Sequence, residues 1–202
     1  MAVGAGYAGV RAMCGTSGGG FALMTEAFGL AGMIEAPVVV VEVQRGGPYT
    51  GIPAKTEQAD LNQVYCASQG ECPRAIIAPM DVEDCFNTAV EAFNLAEKYQ
   101  MPVTIISDLL LSEHPETITP GALRHDVEID RGEFVREWNG DGEYKRYAMT
   151  GREYRRARSP ARRVLFMWRP VTNTMKRVSL SATCSLRQPC AAGYMRSAKA
   201  RS

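Results

Sequence analysis

The feature that most constrains the fold is a nearly continuous run of β-branched residues, Val38–Val41 and Val43. A run that is apolar on both faces predicts a strand buried inside a parallel sheet. A polar, glycine-rich loop follows from Gln44 to Lys55, and a helix is predicted from Thr56 to about Ala67. The run therefore predicts a strand–loop–helix unit of the kind found in α/β proteins.

The loop after this strand is the first candidate for a functional site. It is long, because strand-to-helix connections in such proteins usually have about two to six residues, and long loops tend to be functional. Ligands of open α/β sheets bind at the carboxyl ends of the strands, and Arg45 lies just past this end. Its planar guanidinium suits a carboxylate or phosphate, held by two parallel hydrogen bonds. The alternative is that Arg45 pairs with a nearby acid such as Glu42 and only holds the loop in place.

Two glycine-rich segments precede this unit. The first, Gly4-x-Gly6-x-x-Gly9, has the spacing of the dinucleotide-binding fingerprint, but that motif needs a preceding strand and only three residues come before Gly4. We therefore interpret residues 1–10 as a tightly packed helix end. A short strand is predicted over Arg11–Thr16.

The second segment, Thr16–Gly20, precedes a helix predicted over Phe21–Met33. The helix has an apolar face at spacings of three and four, formed by Phe21, Met24, Phe28 and Ala31. Glycines before a helix can cradle an anion with unpaired N–H groups, or they can form a tight turn with close backbone approach. The lysine of a P-loop is absent, which argues against a nucleoside triphosphate site.

The chain then continues to alternate between strands and helices. A strand is predicted over Arg74–Ala78, Asp81 is predicted to cap an amphipathic helix that ends near Tyr99, and Pro102–Ser107 form another buried strand. Right-handed crossovers between parallel strands make residues 1–108 a three-layer α/β/α sandwich.

Charge divides the chain near Thr150. Residues 1–150 carry 10 basic and 21 acidic side chains, whereas residues 151–202 carry 13 basic side chains and one acid, Glu153. Such a step seldom occurs inside one folded unit. We predict that residues 109–150 are an irregular extension of the same domain with at most short strands, and that residues 151–202 are a basic, disordered tail.

Several classes of site and location are disfavoured. The six cysteines show no CxxC pair and no metal-ligand spacing, which predicts free thiols, a cytoplasmic location and no metal site. His114 and His125 are interpreted as solvated loop side chains. No apolar run reaches the roughly 18 residues of a membrane helix, and the N-terminus has no signal-peptide pattern. The basic tail could engage nucleic-acid phosphates, but it has few aromatic residues and no motif of a nucleic-acid-binding fold.

One long, ordered block resembles a known family. It consists of Thr16-Ser17-Gly18-Gly19-Gly20, Gln44-Arg45-Gly46-Gly47-Pro48 and Lys55-Thr56-Glu57-Gln58-Ala59-Asp60-Leu61. This block resembles the α subunit of 2-oxoacid:ferredoxin oxidoreductases, and it looks most like the 2-oxoglutarate synthase type. The resemblance covers about residues 1–150, which makes it far more specific than a short glycine motif.

The resemblance implies the pyrimidine-binding domain of a thiamine diphosphate enzyme. The implied reaction decarboxylates a 2-oxoacid onto coenzyme A and reduces ferredoxin, and the implied partner is a β subunit that holds the diphosphate, its Mg²⁺ and a 4Fe-4S iron–sulfur cluster. Arg45 is implied to bind the substrate carboxylate, with Thr50 near the substrate. The residues implied to lie close to the cofactor are Thr16, Ser17, Gly18 and Gly19.

The sequence departs from the family pattern in the loop and at its start. The family usually has Ser where Tyr49 stands and Thr where Ala54 stands, so the pocket would lack a hydroxyl donor. The family's domain begins further upstream, with a Tyr-Pro-x-Thr-Pro signature and the glutamate that protonates the aminopyrimidine ring. No catalytic residue is therefore expected in this chain, which we interpret as a fragment that is inactive alone.

The resemblance ends at Gly151, where the charge step also falls. Re-reading each codon one base earlier can convert residues 153–161 and 167–178 into the strings that the family carries next. Met167 and Trp168 have one codon each, so one valine of the second string is forced. These observations indicate a frameshift after about Thr150.

Three functions remain as hypotheses. The first is a fragment of an oxidoreductase subunit, and the second is a remnant that binds a β subunit without catalysis. The third is a nucleic-acid-binding protein that uses the basic tail, which is the weakest of the three.

Overall fold

Four parallel strands form one sheet in the order β1-β2-β4-β3. The strands are β1 (Met13–Thr16), β2 (Val38–Gln44), β3 (Ala75–Ile77) and β4 (Pro102–Asp108). The computed structural model describes residues 1–123, 125–135, 144, 146 and 147, and all of these belong to one compact unit. The valine run lies in β2, between β1 and β4, which confirms the predicted buried strand.

The register brings the carboxyl ends of three strands to one side of the sheet. Thr16, the last residue of β1, lies beside Glu42 of β2. Gln44, the last residue of β2, lies beside Asp108, the last residue of β4. We call this side of the sheet the carboxyl edge.

Helices cover both faces of the sheet, so the predicted three-layer sandwich is confirmed. They are α1 (Ala2–Tyr7), α2 (Gly18–Ala22), α3 (Thr25–Met33), α4 (Leu61–Tyr65), α5 (Val82–Tyr99) and α6 (Leu109–Glu113). One core cluster joins Phe21 and Phe28 to Val38 and Val40 of β2. The opposite face joins Val39 to Ala92 and Ala96 of α5. Alternate valines of β2 therefore pack against different helical layers, as expected for a strand that is buried on both faces.

The interpretation of residues 1–10 as a packed helix is also confirmed. A side chain on Gly6 of α1 would collide with the backbone carbonyl of Pro37, just before β2. Gly9, which follows α1, has φ 83°, a conformation that glycine adopts without steric cost. The glycines thus serve packing and chain reversal.

The longest helix, α5, begins and ends as its sequence predicts. Asp81 accepts a hydrogen bond at 2.7 Å from the backbone N–H of Asp84, which satisfies one of the unpaired donors of the first turn. Gln100 ends the helix in the left-handed conformation, with φ 52°. Both ends of α5 could therefore be predicted from the residues next to them.

Two predicted helix boundaries are wrong. The helix predicted over Phe21–Met33 is divided into α2 and α3, with Leu23 and Met24 between them. The helix predicted from Thr56 begins only at Leu61, because Glu57 and Gln58 make hydrogen bonds to the loop and to β4 instead of entering a first helical turn.

The region after β4 is less irregular than predicted, because α6 follows it directly. Asp108 caps α6 by accepting a hydrogen bond at 2.8 Å from the N–H of Leu111. Between residues 114 and 135, the described part of the chain contains no further helix or named strand. The predicted boundary near Thr150 and the predicted disordered tail lie outside the described residues.

The two histidines and the cysteines of the described residues were not expected to bind a metal. His114 is exposed, and the exposed ring of His125 meets the edge of Phe86 with centroids 5.8 Å apart. The thiols of Cys14, Cys66, Cys72 and Cys85 are free. Within the described residues there is no cluster of three potential metal ligands, and no helix there is long and apolar enough to cross a bilayer.

Candidate functional site

The loop that follows β2 folds back on itself at the carboxyl edge. The N–H of Ile52 donates to the carbonyl of Gly46 at 2.8 Å, and the N–H of Gly46 donates to the carbonyl of Lys55 at 2.9 Å. These two bonds form a small antiparallel bridge inside the loop. The loop is therefore a defined structure with its own hydrogen bonds.

Polar side chains fasten the second half of the loop to the ends of the strands. Gln58 donates to Asp108 of β4 at 2.5 Å, and the buried side chain of Gln44 accepts from the N–H of Asp60 at 3.0 Å. The pKa of Asp108 is lowered, chiefly because its carboxylate accepts from the N–H of Leu111 and also from Gln58. An ionised Asp108 thus holds both the loop and the start of α6.

The glycine-rich turn before α2 is a close packing surface for this loop. A Cβ atom on Gly18 would lie 3.3 Å from Oδ2 of Asp60, and one on Gly19 would lie 3.2 Å from the carbonyl oxygen of Tyr49. A side chain on Gly20 would collide with the Thr16 hydroxyl. Of the two interpretations of Thr16–Gly20, the structure therefore supports the tight turn with close backbone approach.

The predicted cofactor-proximal residues all lie at the carboxyl edge. Thr16 ends β1, Ser17 is the extended residue before α2, and Gly18 and Gly19 begin that helix. The Ser17 hydroxyl oxygen is buried and has no hydrogen-bond partner among the described residues. A buried polar atom without a partner costs free energy, so this hydroxyl is suited to a bound ligand.

The predicted substrate-binding residues occupy different parts of the loop. Arg45 is half-buried directly after β2, whereas Thr50 is exposed at the tip of the loop. Tyr49, which precedes Thr50, contacts the glycine turn through its backbone but leaves its side chain 92% exposed. The loop thus brings residue 49 to the glycine turn, and no described hydrogen bond joins Thr50 to Arg45.

The predicted alternative for Arg45, an ion pair with Glu42, is wrong for the described part of the chain. Its guanidinium forms no salt bridge and no hydrogen bond with any described residue. Its positive charge nevertheless acts on both Glu42 and Asp60, where it partly opposes the rise in pKa that burial causes. Arg45 is therefore a cation close to two carboxyl groups that do not bind it directly.

Sequence reasoning missed the pair formed by Glu42 and Asp60. Glu42 is fully buried, and neither of its carboxyl oxygens has a hydrogen-bond partner among the described residues. Burial, reinforced by the charge of Asp60, raises the pKa of Glu42 to about 7. The available signal was a single acidic residue inside a run of buried valines, because such a group needs a specific partner.

Asp60 resembles Glu42 in having a buried carboxyl oxygen and a raised pKa. Its Oδ2 atom is buried and, within the described residues, lacks a hydrogen-bond partner. Burial and the charge of Glu57 raise the pKa of Asp60, while Glu42 and Arg45 act in the opposite direction. The two carboxyl groups are therefore close enough to interact, with Glu42 favouring the protonated form and Asp60 the acceptor role.

Comparisons with known proteins agree with this architecture. A sequence model of the family described as "Pyruvate flavodoxin/ferredoxin oxidoreductase, thiamine diP-bdg" matches residues 1–162. The chain belongs to this family of thiamine diphosphate-binding domains, so the resemblance seen in its sequence is confirmed.

Two individual relatives show which members of the family this chain resembles. The chain is 44% identical over 151 residues to the α subunit of 2-oxoacid:ferredoxin oxidoreductase 1 from Sulfurisphaera tokodaii. This match covers 74% of this chain and 24% of that relative. It is 50% identical over 107 residues to the 2-oxoglutarate oxidoreductase subunit KorA of Mycobacterium tuberculosis. That match covers 53% of this chain and 16% of that relative. The chain thus spans about a quarter or less of the length of these two proteins.

A solved structure has the same fold. The 2-oxoglutarate:ferredoxin oxidoreductase from Magnetococcus marinus, with 2-oxoglutarate, coenzyme A and succinyl-CoA bound, is 40% identical and superposes with a TM-score of 0.67. The match covers 80% of this chain and 28% of that one. The parallel sheet with helices on both faces is therefore the fold of a segment of that enzyme.

Proposed function

We propose that this chain is part of the α subunit of a thiamine diphosphate-dependent 2-oxoacid:ferredoxin oxidoreductase. The proposed reaction is the oxidative decarboxylation of a 2-oxoacid, 2-oxoglutarate in the first instance, to its acyl-CoA with reduction of ferredoxin. The observation that carries the proposal is the Arg45 loop at the carboxyl edge of a domain that belongs to this family. The names of the relatives support 2-oxoglutarate as the substrate.

Arg45 is the proposed binding group for the substrate carboxylate. It extends from the end of a buried strand and is not engaged by the carboxyl groups beside it, as far as the described residues show. A guanidinium binds a carboxylate with two parallel hydrogen bonds, which fixes the orientation of the substrate as well as its position. Thr50 is proposed to approach the substrate from the tip of the same loop.

The residues of the glycine turn suit a bound cofactor. The buried Ser17 hydroxyl lacks a partner in the described part of the chain, and the glycines next to it keep side chains away from the carboxyl edge. We propose that Thr16, Ser17, Gly18 and Gly19 flank the pyrimidine half of thiamine diphosphate. When bound, the cofactor supplies the nucleophilic carbon and the electron sink for decarboxylation.

The remaining components are proposed to come from other subunits. A partner β subunit would hold the diphosphate, its Mg²⁺ and a 4Fe-4S iron–sulfur cluster, and ferredoxin would accept the electrons. The four free thiols of the described residues support a cytoplasmic location.

Replacement of Arg45 tests the proposal in a complete enzyme that carries this loop. Arg45→Lys keeps the charge but loses the planar fork, so it should raise KM for the 2-oxoacid more than KM for coenzyme A. Arg45→Ala should lose roughly 2–5 kcal/mol in kcat/KM for the 2-oxoacid. Steady-state kinetics with both substrates measure these effects.

Lys55→Ala, which removes an exposed cation from the same loop, is the matched control and should leave both KM values nearly unchanged. Equal losses for both substrates, together with a lower melting temperature, would mean that Arg45 has a structural role.

A further inference from the structure

Glu42 is buried and Asp60 is half-buried, and buried oxygens of their carboxyl groups lack hydrogen-bond partners in the described part of the chain. Both oxygens of Glu42 and Oδ2 of Asp60 are buried without a partner among the described residues. Two ionised carboxylates can only accept hydrogen bonds, so neither can satisfy the other. One proton between them would supply the missing donor and remove the repulsion of like charges.

The surroundings of the pair contain few groups that could compensate two negative charges. The neighbours of Glu42 in the sheet are Thr16 of β1 and Ile106 of β4, which are uncharged. Apart from Asp60 itself, the charged groups that act on the pair are Arg45 and Glu57. The backbone N–H of Gly18 lies near enough to oppose the rise in the pKa of Glu42 but does not complete a hydrogen bond with it. Glu57 adds a third negative charge, so the balance favours retention of one proton.

We propose that Glu42 and Asp60 share one proton, and that this proton keeps the Arg45 guanidinium available to a substrate carboxylate. With the proton in place, the pair carries one negative charge and is satisfied internally. Without it, two buried carboxylates would compete with the substrate for Arg45. The second half of this inference rests on the proposed function. Glu42 and Asp60 are positioning residues, since they act through Arg45.

The direction of the pH effect follows from the pKa of Glu42, which folding raises from 4.5 to about 7. Below pH 4.5 the carboxyl group of Glu42 is protonated in both the folded and the unfolded chain. As the pH rises from 4.5 to about 7, the unfolded chain releases this proton first, so the contribution of Glu42 to folding stability declines across this window and is constant above it.

The first experiment uses the full 202-residue chain. Its free energy of unfolding is measured by denaturant titration at a series of pH values from 4.5 to about 7 and above. Glu42→Gln keeps a neutral donor toward Asp60 and should lose the decline assigned to Glu42. Asp60→Asn removes the neighbouring charge and should move the decline to lower pH. Glu26→Gln, which replaces an exposed carboxyl on α3, is the control and should behave like the parent chain.

The second experiment measures KM for the 2-oxoacid against pH in a complete enzyme that carries this loop. The parent should show a KM that rises above about pH 7, whereas the KM of Glu42→Gln should not change with pH over the same range.

The outcomes separate the two proposals. An unchanged pH dependence of unfolding in both Glu42→Gln and Asp60→Asn would overturn the shared proton. A KM whose pH profile is the same in Glu42→Gln as in the parent would overturn the role in substrate binding. If Arg45→Lys leaves the KM of the 2-oxoacid unchanged, the proposed function of Arg45 fails, while the unfolding data still decide on the shared proton.

Discussion

At the scale of single residues, buried charges are tolerated where opposite charges meet them. Glu97 of α5 is 6% exposed and accepts from Nε of Arg11 at 2.6 Å and from Nε of Arg131 at 2.7 Å. Glu42 is fully buried without such donors among the described residues, and its burial, together with the charge of Asp60, raises its pKa to about 7. The two glutamates show how neighbouring groups give the same buried side chain different surroundings.

Glu97 should therefore be needed for stability. Glu97→Ala is expected to reduce the free energy of unfolding by about 2–4 kcal/mol, somewhat below the usual cost of breaking a buried ion pair because both arginines are partly exposed. Chemical denaturation of the full chain measures this loss. The control is Glu91→Ala, an exposed site on the same helix, and equal losses in the two variants would contradict the assigned role.

At the scale of elements, the loop after β2 depends on one backbone conformation. Gly51 has φ 67°, and a Cβ atom there would collide with the carbonyl oxygen of Gly46, which accepts the bridging hydrogen bond from Ile52. Both the conformation and the contact require glycine at this position. The internal bridge of the loop therefore depends on Gly51.

Gly51→Ala should open that bridge. The expected cost is about 1–2 kcal/mol, because an L-residue is strained at positive φ and the carbonyl must also move. Amide hydrogen exchange at Ile52 should then accelerate about tenfold, which corresponds to about 1.4 kcal/mol. Gly47→Ala is the matched control, since a Cβ at Gly47 meets no atom within 4 Å. Unchanged exchange at Ile52 in Gly51→Ala would show that the bridge does not need this glycine.

For the whole molecule, the proposed function makes the chain one wall of a larger site. Its carboxyl edge carries Arg45 and the glycine turn, while the proposed β subunit would hold the diphosphate, the metal and the electron acceptor. Under this proposal, the chain would bind and orient the substrate, and the redox chemistry would require the assembled enzyme.

The purified chain alone should therefore show no 2-oxoacid-dependent reduction of a viologen dye. An anaerobic assay with 2-oxoglutarate, coenzyme A and thiamine diphosphate tests this expectation, with a complete enzyme of the family as the positive control. Turnover by the chain alone would contradict the proposed need for a partner subunit. Co-purification with a β subunit but no turnover would instead favour the non-catalytic remnant considered from the sequence.

Elements with local sequence signals could be predicted without the structure. The valine run predicted β2, the Asp81 cap and apolar spacing predicted α5, and the order of strands and helices predicted the layered fold. The position of Arg45 after β2 followed from the same pattern. Each of these depends on neighbouring residues or on helical and strand periodicity, which can be read along the chain.

Features that join distant segments could not be predicted, because they depend on contacts made in the folded chain. Glu57 and Gln58 bind the loop and β4, so α4 begins later than its own residues indicate. The pairing of Glu42 with Asp60 arises because the loop returns to the end of β2, and no local pattern encodes that return. Burial then raises the pKa of each carboxyl group above its usual value, an effect that the sequence alone does not reveal.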